Sequence, residues 1–257
     1  MAILLLNPNT SADMTAHIVR EAGRHCGAGV ELIPATARFG GEVIASRASY
    51  AIAAHAVLDT YARHAGEADA VVIACFGDPG LEALRELAAV PVVGLLESAV
   101  AEAADAGRPF GIVTAGPAWG PMLEERIRAG ACAGLSRGVF VIRATGLDLT
   151  RDPARFAGAL QEAVDAAVAA GAGTVILGGS ALAGFGPRLS THVPLIDPLE
   201  AAMAQTRRLL GAPLSAPTAA AAAPTASTAS TAPDTPQIAY RGVAPELAAL
   251  LGQPASV

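Results

Sequence analysis

Cysteine is scarce in this chain: Cys26, Cys75 and Cys132 are the three among 257 residues. They are too few and too scattered for a disulfide framework or a thiolate zinc site, so no metal is expected. Basic surplus is also missing. With 17 Lys plus Arg against 23 Asp plus Glu, the net charge of -6 leaves nothing to neutralise phosphates, and nucleic acid is not an expected partner. No apolar run approaches the ~18 residues that span a bilayer. Residues 1–6 run straight into strand-like sequence with no charged leader ahead of an apolar stretch. The expectation is a cytoplasmic protein without membrane or nucleic-acid partners that takes a small-molecule substrate, anionic or imide. A homo-oligomer is compatible with the sequence, which does not set its size.

What is present is apolar residues in alternation. Hydrophobic residues make up 53% of the chain, enough to bury a substantial core. Strand-like runs at 3–6, 30–34, 70–75, 92–95, 111–114, 139–144, 175–178 and 195–197 alternate with longer Ala-rich helical stretches. That order predicts the α/β class, a parallel sheet covered by helices. The order also repeats. ILLLNPNTSADM from Ile3 resembles FGIVTAGPAWGPM from Phe110, VELIPAT from Val30 resembles VFVIRAT from Val139, and VPVVGLLESA from Val90 resembles VPLIDPLEAA from Val193. Two pseudo-symmetric parallel-sheet domains are expected, with the site in the cleft between them. Residues 1–98 form the first half, completed by 199–210, and 99–198 form the second. The Ala/Pro/Ser/Thr stretch 211–236 has too little bulk to offset its ordering entropy and reads as a disordered linker. Residues 237–257 read as a short helical tail.

Ligands of open α/β sheets bind beyond the carboxyl ends of the strands, so the residues following each strand are the candidates. The run AVVIACFGDPGLEALREL delivers Cys75 to a Gly-Asp-Pro-Gly turn where a helical pattern begins. Asp78 suits an N-cap and Pro79 a first helical position, and the positive end of a helix favours a thiolate. Cys75 is a candidate nucleophile or base; a free Cys also packs well as a small buried hydrophobe. Asn7 and Asn9 are suited to a substrate carboxylate or imide, and equally to capping the first helix. Aligning VVIAC with VILGG sets Cys75 against Gly179, and Asn7 falls against Thr114. Around the cleft stand Asn7, Asn9, Ser11, Phe76, Gly77, Thr114, Gly178, Gly179 and Ser180. The segment from Arg38, with its Gly40-Gly41 pair and a Ser46 cap, reads as a loop able to cover the cleft and bring Ser46, Arg47 or Tyr50 to the ligand.

NPNTSADMT at 7–15, IACFGDPGLEALRE at 73–86 and VPVVGLLESAV at 90–100 resemble recurring blocks of the aspartate/glutamate/hydantoin racemase superfamily, most closely its hydantoin racemase branch. The resemblance covers roughly residues 1–210. It implies two α/β domains, no cofactor, and one cysteine from each half to remove or return the proton beside a carbonyl through an enolate. Small residues and helix N-termini would hold the enolate oxygen. Here the chain departs from the pattern: the loop expected to carry the second cysteine reads GGSALAG from Gly178. A hydantoin or amino-acid racemase with Cys75 as acid/base is the leading expectation. The alternatives are a one-cysteine decarboxylase or lyase using the same enolate, and a ligand-binding relative without catalysis.

Overall fold

The computed structural model describes residues 1–27, 29–211 and 243–251. The first half runs β1 (Ala2–Asn7), α1 (Ala12–Gly23), β2 (Glu31–Thr36), α2 (Arg47–Arg63), β3 (Ala70–Ile73), α3 (Leu81–Leu87), β4 (Val92–Gly94), α4 (Leu95–Asp105). The second runs β5 (Phe110–Ala115), α5 (Trp119–Ala129), β6 (Ser136–Ile142), α6 (Gly146–Arg151), α7 (Ala157–Ala169), β7 (Thr174–Gly178), β8 (Leu195–Ile196), α8 (Pro198–Leu209). Every expected strand is present. The ends move by a few residues: the run expected to stay extended to Cys75 stops at Ile73, because the Cys75 N–H turns back onto the Ile73 carbonyl at 2.9 Å.

Each half builds one four-stranded sheet, in the orders β2-β1-β3-β4 and β6-β5-β7-β8, with every pairing parallel. The identical orders are the duplication in three dimensions, and the register keeps its alignment. Leu6 pairs with Ile73 and Val113 with Leu177, so two residues further along the second strand of each pair stand Cys75 and Gly179.

Strands buried on both faces explain the unbroken apolar runs. Leu4, Leu6, Val71 and Ile73 face outward onto Val57 and Tyr61 of α2 and Leu81 and Leu84 of α3. Ile3, Leu5, Val72 and Val93 face inward, into one core with Phe110, Ile112, Ile176, Ile196 and Met203. That inner core joins the halves. The last helix of each half also crosses over: α4 packs on β7 and β8 as well as β4, α8 packs on β3 and β4 as well as β7, and the two helices touch. Relative motion of the halves must therefore disturb well-packed apolar contacts.

Ser11 caps α1 by accepting from Met14 N–H at 3.2 Å, and Ser46 and Ser49 form a capping box at α2. A last helix, α9 (Pro245–Leu250), lies against α2 with Leu247 buried. Residues 212–242, which hold nearly all of the expected linker and the start of the tail, lie outside the described residues. No described helix is long and apolar enough to cross a membrane.

Candidate active site

The carboxyl ends of the two sheets close on a cavity of about 90 Å³. Cys75 and Phe76 enter from the first half, Thr114 and Gly178–Leu182 from the second, and Asn9, Ser11 and Met14 from the α1 loop. Glu42, Val43 and Ile44 reach it from the Gly-rich loop before α2, and Leu147 and Leu149 from α6. That loop is pinned at both ends: Thr10 N–H donates to Gly41 O at 3.1 Å, and the Trp119 indole N–H donates to Ile44 O at 2.9 Å. Among the described residues lining the cavity, Glu42 carries the one full charge, and no Arg, Lys or His is present.

The thiol sits differently from what the local sequence suggests. Its helix begins at Leu81 with Gly80 at the N-cap, and Gly80 makes no side-chain cap. Asp78 does not cap α3. Its carboxylate turns to α4, accepting from Leu96 N–H at 3.0 Å and Glu97 N–H at 2.9 Å. Nor is Cys75 tuned toward the thiolate. The residue is half-buried at the cavity wall, but the groups crowding the sulfur withhold water; this desolvation first, then the Asp78 charge, pushes the thiol up to about 12. At rest it is a neutral acid. Its Sγ lies 4.0 Å from the Phe76 carbonyl oxygen, a weak contact.

Across the cleft, Gly179 has extended backbone, and a Cβ built on it would meet nothing nearer than Leu182 at 3.9 Å. Gly178 is small for a different reason: a Cβ there would lie 2.6 Å from the Phe76 ring, which crosses from the opposite half. The Ser180 hydroxyl donates to Ala74 O at 2.8 Å, and the Thr114 hydroxyl donates to Gly178 O. Both hydroxyl hydrogens are thus engaged with main chain.

Cys75, Asn9, Ser11, Phe76, Thr114, Gly178, Gly179 and Ser180 meet around one cavity. Asn7 does not line it. Its side chain is buried behind the loop, donating to Asn9 Oδ1 at 2.8 Å, Ser11 O at 3.1 Å and Thr15 Oγ1 at 3.0 Å, which is turn chemistry. Gly77 also stands back: at φ +120°, a conformation that favours glycine, it faces Trp119, whose ring a Cβ would meet at 2.7 Å. Its carbonyl accepts from the Tyr50 hydroxyl at 2.7 Å. Arg47 points away, paired with Glu125 at 2.7 Å. Met14, Glu42, Trp119 and the two α6 leucines were not singled out from sequence. For Trp119 the signal existed, since the duplication pairs GPAWGPM with the Asn9–Met14 loop.

Behind the Cys75 turn lies a second hollow of about 700 Å³, with Tyr50, Asp78, Trp119, Arg126 and Cys132 in its walls. Among the described residues no three His, Cys, Asp or Glu side chains are grouped to hold a metal ion.

Two equivalent parallel sheets, meeting at their carboxyl rims over a single thiol, define a two-lobed α/β protein with a small interlobe cavity. The model of a protein family described as Asp/Glu/Hydantoin racemase matches residues 3–206. A hydantoin racemase of Rhizobium meliloti is 34% identical over 224 residues, covering 82% of this chain and 90% of that protein. One of Paenarthrobacter aurescens is 33% identical over 210 residues, covering 79% and 88%. The crystal structure of allantoin racemase from Pseudomonas fluorescens is similar with a TM-score of 0.77 at 30% identity, over 82% of this chain and 92% of that one. The chain belongs to the Asp/Glu/hydantoin racemase family, and is by that membership an isomerase of racemase type.

Proposed function

We propose that the chain racemises cyclic ureides of the hydantoin type, with Cys75 moving the proton on the carbon beside a carbonyl. The observation that carries this reading is the cavity wall: a thiol and apolar side chains from both halves, with no cationic side chain among the described lining residues. An amino acid or a malonate brings a carboxylate, and burying one without a cation is costly. A neutral imide avoids that cost. Relatives that are a hydantoin racemase and an allantoin racemase support the same substrate class.

In this reading the Cys75 thiol first gives its own proton to solvent; the thiolate Sγ then takes the C–H proton, and the electron pair moves onto the carbonyl oxygen. Main-chain N–H groups of the Gly178–Ser180 turn and the Ser11 hydroxyl are the donors for that enolate. Return of the proton from Sγ regenerates the starting enantiomer; delivery to the opposite face inverts it. On that face stands Gly179, which carries no side-chain acid, so the inverting proton comes from solvent, and the proton left on Sγ neutralises the hydroxide so formed. No cofactor takes part in these steps.

One feature favours a second reading. A thiol held near 12 carries its proton at neutral pH, and the Ser180 hydroxyl on the opposite rim is bonded to Ala74. One-sided chemistry, in which Cys75 protonates an enolate formed by loss of carbon dioxide, uses the acid and needs no second group.

Solvent exchange separates the readings. Each enantiomer of a 5-alkyl hydantoin is incubated in D2O, and deuterium at the stereocentre and optical rotation are followed together. Racemisation requires incorporation from both enantiomers with decay of rotation. Exchange confined to one enantiomer selects one-sided chemistry. Binding without exchange, seen through fluorescence of Trp119 in the cavity wall, would leave a ligand-binding relative. Loss of turnover in Cys75→Ser is required of both catalytic readings.

A further inference from the structure

We infer that Asp78 is a positioning residue: its buried carboxylate fastens the turn that carries Cys75 to the first turn of α4, and turnover depends on that fastening. The inference rests on the reading of Cys75 as the acid/base group.

The fastening is built from several sides. Asp78 is 1% exposed, and its two carboxylate oxygens accept separately from Leu96 N–H and Glu97 N–H at 3.0 and 2.9 Å. The main chain at the end of β4 comes so close that a Cβ on Gly94 would overlap the carboxylate. On the other side, Asp78 N–H donates to Cys75 O at 3.1 Å, and Asp78 O accepts from Leu81 N–H at 3.3 Å. Asp78 is also the one described non-glycine residue with positive φ, +53°, a conformation that Asp tolerates better than most residues. The Cys75–Asp78 turn is therefore anchored through one side chain to a helix 18 residues further along the chain.

Folding alone does not ask for this arrangement. A Ser or Thr hydroxyl satisfies a helix N-terminus without placing a charge inside the protein. The groups facing Asp78 are Arg126 from α5, Glu97 from α4, Glu82 and Arg85 from α3, Tyr50 from α2, and Cys75. Burial outweighs the two N–H bonds and Arg126, and pushes the carboxyl up to about 6. A charge that the interior resists, held three residues from the thiol, is the kind of local conflict that marks a functional site.

Asp78→Asn and Asp78→Ser in the full chain test this. Both variants remove the charge, and the serine keeps a cap acceptor should the asparagine variant not fold. The expected result is a fall in kcat of about tenfold or more, in line with small displacements of a reacting group, with KM changed less than threefold. Amide exchange over residues 75–80 and at Leu96 and Glu97 should accelerate. The wild-type kcat should decline as pH falls through about 6, because protonation weakens both acceptor bonds, and that limb should be missing from the variants. A folded variant with wild-type kcat, or one that keeps the limb, overturns the inference. Full turnover in Cys75→Ser would instead sink the acid/base reading, and faster exchange in Asp78→Ser would still report the fastening.

Discussion

The Ser180 hydroxyl donates to the main-chain carbonyl of Ala74, 2.8 Å away on the opposite rim of the cleft. The bond ties the β7 loop to the residue preceding Cys75, so the separation of the rims depends on it. It also commits the hydroxyl hydrogen, which makes Ser180 a brace and a poor substitute for a second acid. Ser180→Ala should leave the Ala74 carbonyl without this partner and lower stability by about 1–2 kcal/mol, read by urea unfolding. Activity should fall by about tenfold or less. A loss beyond a thousandfold at unchanged stability would show that the hydroxyl itself transfers the proton.

Gly179 is open where the second group is missing. Its extended backbone accepts any residue, and the nearest atom to a new Cβ is 3.9 Å away. Gly179→Cys should therefore fold without strain and place a thiol opposite Cys75. Racemisation of either enantiomer should rise by at least tenfold, since positioned general acids and bases contribute about 10²–10⁴. Polarimetry reads the outcome. A folded Gly179→Cys with no gain would mean that the two rims do not address one carbon. Gly178→Cys is the control: its Cβ would strike Phe76, and stability should drop.

The matching strand ends that carry Cys75 and Gly179 are legible in the sequence, because parallel strands buried on two faces leave continuous apolar runs and a duplication repeats them in order. The Cys75–Gly179 pairing follows from two short blocks, and the strand register agrees with it. Asp78 was not legible. In its own segment it has every property of an N-cap, and only the fold brings α4 within reach. The acidity of Cys75 was missed for a related reason, since a helix terminus is a local signal while desolvation comes from residues distant in sequence. Asn7 shows the limit of reading types without directions. Its position at the strand end was right, but its amide turns inward to Thr15.

Glu42 is the one charged side chain among the described cavity residues, on the loop held by Trp119. It should repel substrates that carry a carboxylate. Glu42→Arg should raise kcat/KM for a carboxymethyl hydantoin relative to its methyl counterpart by about twofold to fivefold, the scale of an exposed charge contact. Because Glu42 is exposed, the gain should shrink at ~1 M salt, where screening is nearly complete. An unchanged ratio at low salt would remove Glu42 from the specificity of the site.

The raised carboxyl of Asp78 makes a stability prediction with a definite sign. Its folded value is about 6, against about 3.9 for an unperturbed Asp. Between those values the folded chain holds more protons at this site than the unfolded chain does, so this site's contribution to stability falls as pH rises through the window. The full loss is about 2–3 kcal/mol at roughly 1.4 kcal/mol per unit. Below about pH 4 the carboxyl is protonated in the folded state and the loss is absent. Asp78→Asn cannot ionise and escapes it. Urea unfolding of both proteins at pH 4 and pH 6.5 isolates the site, because every other carboxyl is common to the pair. The variant should gain on the wild type as pH rises, even while its turnover is the lower of the two. A difference that stays constant, or moves against the variant, would mean that Asp78 is ionised without penalty and that its N–H partners and Arg126 outweigh its burial.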